Sequence, residues 1–200
     1  MKNSKDVAKT GAKMAGVGLF GFLIEIGGII LMAFLVVVPV RYFIIQPFIV
    51  KGASMQPNFY DGEYLIVNEI GWRVKEAERG EVIVFKNPRN NGEYFIKRII
   101  GLPDERIVIK GGVIKIYNDQ YPNGFLLDET NYLPDSRVTS GNIDETLGED
   151  EYFVLGDNRG ASSDSRYWGP LPEKLVVGKT WIRVLPFSRM EIFQDNLSIN

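Results

Sequence analysis

Ser54 lies in the segment Lys51-Gly52-Ala53-Ser54-Met55-Gln56-Pro57, where Gly52 and Pro57 constrain the backbone on either side of it. A serine nucleophile needs a base to accept its proton, and that base is usually a histidine. The chain contains no histidine and no cysteine, which excludes imidazole bases, thiolate nucleophiles and the common zinc sites. Carboxylate chemistry, a serine with a lysine base, or no catalysis remain.

Two lysines are candidates for the base because strand alternation places each among apolar side chains. Lys97 shares a face with Phe95 and Ile99, and Lys86 shares a face with Val84. Burial can lower the pKa of a lysine from about 10.4 to near 7, a change of roughly 4 kcal/mol. A lysine at a sheet edge would instead extend its amine into water. Periodicity alone does not choose between the two lysines.

The segment 156–169 is rich in glycine, aspartate, asparagine and serine, and this composition is typical of a loop with local side-chain to backbone hydrogen bonds. A serine hydroxyl in this loop could also orient a neutral lysine amine. Asp164 could pair with Arg159 or with Arg166 to hold the loop.

Residues 14–40 are almost all apolar, and a helix of this length exceeds the roughly 30 Å hydrocarbon core of a bilayer. Four lysines and one aspartate precede the run, so residues 1–13 are predicted to be cytoplasmic and the rest of the chain after Arg41 extracytoplasmic. A cleaved signal peptide is the alternative, but the run is too long and does not end in small residues. Glu25 within the run is interpreted as a protonated carboxyl or as lying near the interface because the span begins later, and helix pairing is the alternative.

The remainder of the chain is predicted to be mainly β, with short strands separated by turns and no long amphipathic helix. Such a pattern indicates an antiparallel barrel or sandwich. Gly111-Gly112 predicts a tight hairpin. The predicted strands are 64–68, 81–85, 94–100, 106–110, 113–117, 152–155 and 179–184.

Charge and composition exclude further classes of protein. The formal net charge is -2, and beyond the N-terminus no basic patch is present, so nucleic acid is not an expected partner. Without cysteine the fold cannot depend on disulfides. Residues 128–151 are strongly acidic but lack an EF-hand pattern, so we expect a solvated insertion and no metal site.

Taken together, these segments resemble the bacterial type I signal peptidases (leader peptidases), a family of membrane-bound Ser-Lys proteases. One such motif would be weak evidence, whereas the ordered set behind a predicted anchor is specific. The matching segments lie within residues 40–187 and are 52–57, 79–86, 97–103, 156–159 and 162–166.

The resemblance implies that Ser54 is the nucleophile and that Lys97, rather than Lys86, is the general base. It also implies that the hydroxyl of Ser162 positions the amine of Lys97. Two further matches, Asp164 and Arg166, form a supporting ion pair in the family. The residues expected to line shallow pockets for small substrate side chains are Val50, Met55, Phe59, Phe95 and Ile96.

Two departures from the family pattern affect these expectations. Gly52 stands where some members have a hydroxyl that assists the oxyanion hole, so that side-chain donor is absent. Asn58-Phe59 follows Pro57 where the family usually has threonine and leucine, and Phe59 would reshape the pocket.

The resemblance further implies an antiparallel β-sheet catalytic domain with a smaller β-rich insert. The expected division is a cytoplasmic segment (1–13), a transmembrane helix (14–40), a first catalytic part (41–105), the insert (106–150) and a second catalytic part (151–200). Expected partners are exported preproteins with signal peptides, the lipid bilayer and the protein-export machinery. No cofactor is expected.

Two other functions fit parts of the pattern. Another Ser-Lys protease, such as a self-cleaving repressor, would act on its own linker, but no DNA-binding helix pair precedes the domain. A membrane-tethered β-domain that binds secreted peptides without cutting them is the alternative outside enzymes. The presence of Ser54, Lys97 and Ser162 together argues against it.

Overall fold

The computed structural model of the chain describes residues 21–37, 45–134 and 138–193. The chain divides into two units, Met1–Ile44 and Ile45–Asn200. In the first unit, residues 21–37 form a helix, α1, whose side chains are exposed. The rest of the predicted span, and the predicted cytoplasmic segment 1–13, lie outside the described residues. Over the ranges that are described, no helix is both long and apolar enough to cross a membrane.

The second unit is built almost wholly from short strands. In chain order its elements are β1 (Ile45–Ile49), β2 (Tyr64–Asn68), α2 (Glu69–Val74), β3 (Val82–Asn87), β4 (Asn90–Gly101), β5 (Arg106–Lys110), β6 (Val113–Tyr117), β7 (Phe125–Leu126), β8 (Ile143–Thr146), β9 (Glu151–Leu155), α3 (Ser165–Trp168), β10 (Leu171–Pro172), a 3₁₀ turn (Glu173–Leu175), β11 (Val176–Leu185), a second 3₁₀ turn (Phe187–Arg189) and β12 (Glu191–Ile192).

The strands form two antiparallel sheets. The larger has the order β1-β2-β11-β3-β4-β9-β10, with β12 paired to β11. The smaller has the order β7-β6-β5-β8, and all of its strands come from the segment between β4 and β9. The prediction of a mainly antiparallel β-fold is therefore confirmed.

Strand positions follow the apolar alternation closely where a strand has one buried face. The bounds of β2, β5 and β6 are those predicted, and the β5–β6 hairpin turns at Gly111 and Gly112 with φ of +61° and +90°. Several strands were not predicted. Of these, β7, β10 and β12 are two residues long, β8 is polar, and β1 contains Pro47, so none of them shows a clear alternation.

The hydrophobic core continues from one sheet to the other. Ile107, Ile109 and Ile116 of the small sheet are fully buried in one cluster with Phe153 and Leu155 of β9 in the large sheet. A second cluster is formed by residues of β2 and β3 together with Met55 and Phe59, which belong to the turn after β1. The turn after β1 is consequently anchored by burial on the large sheet.

A buried ion pair joins the two sheets beside this core. Arg79 donates to both carboxylate oxygens of Glu105 at 2.7 and 2.6 Å, and also to the carbonyl oxygen of Ile100. Glu105 accepts two more hydrogen bonds, from the N–H of Leu102 and from the amide of Asn118 after β6. Both buried charges thus have several hydrogen-bond partners, and such partners are the condition for a buried pair to be tolerated.

Replacing Arg79 with methionine should lower the free energy of unfolding by about 3 to 5 kcal/mol, because the Glu105 carboxylate would remain buried without its partner. Urea unfolding of the full chain in detergent, followed by tryptophan fluorescence, measures this change. The matched control is Arg106→Met, which removes an exposed partner of Asp144. We expect a much smaller effect there, and an equal effect of the two substitutions would contradict the role of burial.

Candidate active site

Ser54 lies in the turn that follows β1, and the turn is held by backbone hydrogen bonds. The N–H of Phe59 donates to the carbonyl oxygen of Met55 at 2.9 Å, and the side chains of both residues are buried. Gly52 has a φ of +83°, a conformation that favours glycine, and its N–H donates to Asp61 Oδ1 at 2.7 Å. The half-buried Ser54 is therefore presented on a defined backbone.

Lys97 lies in the middle of β4, and its side chain is only 3% exposed. Its Nζ donates to Ser54 Oγ at 2.8 Å and to the carbonyl oxygen of Ile96 at 2.8 Å. The amine also lies 5.3 Å from the centre of the Phe95 ring. The two side chains that the sequence suggested as nucleophile and base are in direct contact.

Burial lowers the pKa of Lys97 to about 8, because removing the ammonium from water disfavours its charged form. The carboxylates of Asp164 and Asp157 act in the opposite direction and favour the charge. With a pKa near 8, about one-tenth of the amine is neutral at pH 7, compared with less than about one-thousandth for an ordinary lysine, and a neutral amine can accept a proton from a hydroxyl.

The alternative lysine has no such environment. Lys86 lies on β3 opposite Tyr94, and its side chain is exposed. Lys86 shares a face of β3 with Val84, as predicted, but it lies near the strand end and its side chain reaches solvent, whereas the other residues of β3 are buried.

The loop 156–166 closes over the Ser54 turn. The N–H of Asn158 donates to the carbonyl oxygen of Ser54 at 2.9 Å, and its side-chain amide donates to the carbonyl oxygen of Ala53 at 3.0 Å. A Cβ atom at position 156 would lie 2.5 Å from the same Ser54 oxygen, so only glycine fits there. These contacts of Asn158 and Gly156 were not predicted, although both residues lie in a segment that the sequence marked for its turn composition.

Ser162 differs from the expectation. Its side chain is buried next to Gly156, and its Oγ has no hydrogen-bond partner among the described residues. The two hydrogen bonds found for the amine of Lys97 go to Ser54 and to Ile96 instead. A role of Ser162 in positioning Lys97 therefore stays a prediction.

The carboxylates near Lys97 are each paired with an arginine. Asp164 and Arg166 form the expected ion pair at 2.8 Å, and both side chains are buried. Asp157 is bound by Arg98, the residue after Lys97, at 2.6 Å. The candidate pairing of Asp164 with Arg159 is not made, since Arg159 binds Glu129 from the segment before β8.

A cleft of about 750 Å³ opens beside Ser54 and Lys97. Val50, Phe95 and Ile96 line it, as expected for pocket residues. The other two expected pocket residues, Met55 and Phe59, are 1% and 2% exposed and lie in the core instead. They point inward because the turn needs buried apolar anchors, and Phe59 packs on Phe193 with ring centres 5.2 Å apart.

No group of three or more acidic side chains that could hold a metal ion occurs in the described part of the chain. Acidic residues of this part instead contact arginine side chains or backbone N–H groups, as Glu105, Asp157 and Asp61 do. What the site offers chemically is a hydroxyl in contact with a buried amine at the edge of an apolar cleft.

Comparison with known proteins shows the family to which this chain belongs. Residues 23–185 match the family described as signal peptidase, peptidase S26. A probable signal peptidase I-2 from Synechocystis sp. is 32% identical over 179 residues, which cover 86% of this chain and 78% of the relative. A signal peptidase IB from Staphylococcus aureus is 34% identical over 176 residues, which cover 81% of this chain and 89% of the relative.

A crystal structure of a signal peptidase I from Enterococcus faecalis V583 is 31% identical in sequence. The match covers 53% of this chain and 97% of that chain, with a TM-score of 0.43. The family match covers most of the chain and includes both Ser54 and Lys97. The chain belongs to the peptidase S26 family of signal peptidases.

Proposed function

We propose that the protein is a membrane-bound serine endopeptidase that removes N-terminal signal peptides from exported preproteins. The observation that carries this proposal is the 2.8 Å contact between Lys97 Nζ and Ser54 Oγ in a chain without histidine. Family membership and the names of the relatives support the same activity.

In the proposed reaction, the neutral amine of Lys97 takes the proton of the Ser54 hydroxyl while Oγ attacks the carbonyl carbon at the cleavage site. The peptide C–N bond then breaks, and the Lys97 ammonium gives its proton to the leaving amine. Water hydrolyses the resulting ester on Ser54, again with Lys97 as base. Positioned proton transfer of this kind contributes about 10² to 10⁴ in rate.

The oxyanion that forms in this reaction needs hydrogen-bond donors in the turn. The backbone N–H of Ser54 is the proposed donor, since Gly52 has no side chain to supply a second one. One such donor is worth about 3 kcal/mol in the transition state.

The proposed substrate is an extended peptide with small residues at the first and third positions before the cut. Val50, Phe95 and Ile96 leave an apolar cleft beside Ser54 that suits small side chains. We propose that the peptide docks as an added β-strand, a mode in which backbone hydrogen bonds supply affinity and pockets supply specificity.

The proposed location is the cell membrane, with a cytoplasmic N-terminus, one spanning segment at 14–40 and an extracytoplasmic catalytic domain. The apolar run and the four lysines before it support this topology. Association with the bilayer and with the protein-export machinery follows from the proposed substrates.

Replacing Ser54 or Lys97 with alanine should reduce cleavage of a preprotein with an Ala-x-Ala site by at least about 10³-fold, because the nucleophile or its base is lost. Gel-resolved cleavage in detergent or lipid, with the cut site mapped by mass spectrometry, measures this effect. The control is Lys86→Ala, which removes an exposed lysine on the neighbouring strand and should retain activity. Equal cleavage by all four proteins would show that Ser54 and Lys97 are not the reacting groups. Cleavage by none of them would favour a function without cutting, such as peptide binding.

The rate should also follow the protonation state of Lys97, whose pKa is about 8. Below this pH the amine is charged and cannot accept a proton, so kcat/KM should fall about tenfold per pH unit as the pH decreases. Above it the neutral form dominates and the rate should level off. A flat profile between about pH 5 and 9, with chemistry rate-limiting, would contradict a lysine base.

The proposed topology can be tested directly because the chain has no cysteine. Ser4→Cys and Lys110→Cys each introduce a single thiol, before and after the predicted span. In intact cells, a membrane-impermeant maleimide should label the second variant and not the first. Both should react after the membrane is opened, and labelling of Ser4→Cys in intact cells would contradict a cytoplasmic N-terminus.

A further inference from the structure

Asn58 is half-buried four residues after Ser54, and its side-chain amide makes two hydrogen bonds to distant parts of the chain. It donates to Asp157 Oδ2 at 2.7 Å and to the carbonyl oxygen of Tyr132 at 2.8 Å. The backbone carbonyl oxygen of Asn58 accepts a further hydrogen bond, from the guanidinium of Arg189, at 3.1 Å. The turn that carries Ser54 is thus tied to three other segments through one residue.

The Asp157 contact leads directly to the strand of Lys97. Arg98 donates from Nε to Asp157 Oδ1 at 2.8 Å and from its terminal nitrogen to Oδ2 at 2.6 Å. Because Arg98 follows Lys97 in β4, the buried carboxylate joins the backbone that carries the amine to the turn that carries the hydroxyl. This bridge runs beside the direct contact between Lys97 and Ser54.

The hydrogen bond from Asn58 to Tyr132 ties the segment between β7 and β8 to the Ser54 turn. The guanidinium of Arg98 lies 4.1 Å from the centre of the Tyr132 ring, and the hydroxyl of Tyr132 donates to Glu129 Oε1 at 2.5 Å. Glu129 in turn binds Arg159 of the loop over the site. Glu129 and Tyr132 of the acidic insertion therefore contact arginines beside the site. Other acidic residues of the insertion are exposed to solvent as expected, namely Asp128, Asp144, Glu149 and Asp150.

We propose that Asn58 is a positioning residue that holds Ser54 against Lys97 by tying the Ser54 turn to Asp157 and Tyr132. This role rests on the proposed peptidase function. Misplacing a reacting group by about 1 Å can cost about 100-fold in rate even when substrate binding is unchanged. Asn58 is suited to the task because both of its amide hydrogens go to acceptors that are themselves fixed.

The test compares Asn58→Leu, which keeps the shape but has no donor, with Asn58→Ser, which keeps one short donor. We expect kcat of the leucine variant to fall about 10- to 100-fold, with KM changed less than about threefold. The serine variant should lie between it and the unmodified protein. Asn131→Leu, an exposed substitution next to Tyr132, is the matched control and should retain kcat.

The pH profile separates positioning from a loss of stability. Lys97 faces the carboxylates of Asp157 and Asp164, and only burial under the Ser54 turn opposes their effect. A loosened turn admits water, so the acid limb of kcat/KM should move to higher pH by about half a unit in Asn58→Leu. The proposal would be overturned by an acid limb that does not move, together with one of two results for kcat. Either kcat stays within about twofold of that of the unmodified protein, or it falls only in step with the melting temperature.

Hydrogen exchange keeps this test independent of the proposed substrate. The N–H of Asn158 donates to the Ser54 carbonyl oxygen, so its exchange reports the position of the turn. Exchange at Asn158 should be faster in Asn58→Leu than in Asn131→Leu, and equal rates would overturn the proposal. Failure of the unmodified protein to cut the preprotein would contradict the peptidase function, while the exchange result would still decide the role of Asn58.

Discussion

The rest of the site depends on the burial of one lysine amine. Water stabilises an ammonium strongly, so placing Lys97 under the Ser54 turn lowers its pKa to about 8. Two carboxylates close by would restore the charge if they were unpaired. Asp157 and Asp164 are instead bound by Arg98 and Arg166, which limits their pull on the lysine. The lowered pKa therefore results from desolvation, which outweighs the attraction of two carboxylates that are already paired with arginine.

The architecture supplies this environment from separate parts of the chain. β4 places Lys97 between β3 and β9 in the large sheet, and β1 delivers Ser54 on a turn anchored by Met55 and Phe59. The loop after β9 covers the turn, and the segment before β8 binds that loop through Glu129. Because these segments are far apart in sequence, the geometry of the dyad requires most of the second unit to be folded.

The positions of several strands could be predicted from sequence because they have a local signal, whereas the choice of Lys97 over Lys86 as the base required the family resemblance. Alternating apolar residues mark β2, β5 and β6, and Lys97 interrupts such a pattern in β4. The orientation of Met55 and Phe59 could not be predicted, since a turn has no periodicity that assigns side chains to one face. The bonds of Asn58 also escaped prediction, because its partners lie 74 and 99 residues away and no local pattern encodes such contacts.

The most direct test of this account is the pKa of Lys97 in the folded protein. NMR titration of lysine side chains labelled with ¹³C and ¹⁵N measures it, and Lys97→Arg identifies the signal by its loss. We expect a pKa of about 8. A value at or above about 10.4, the ordinary range of an exposed lysine, would leave less than about one-thousandth of the amine neutral at pH 7 and would contradict its role as the base.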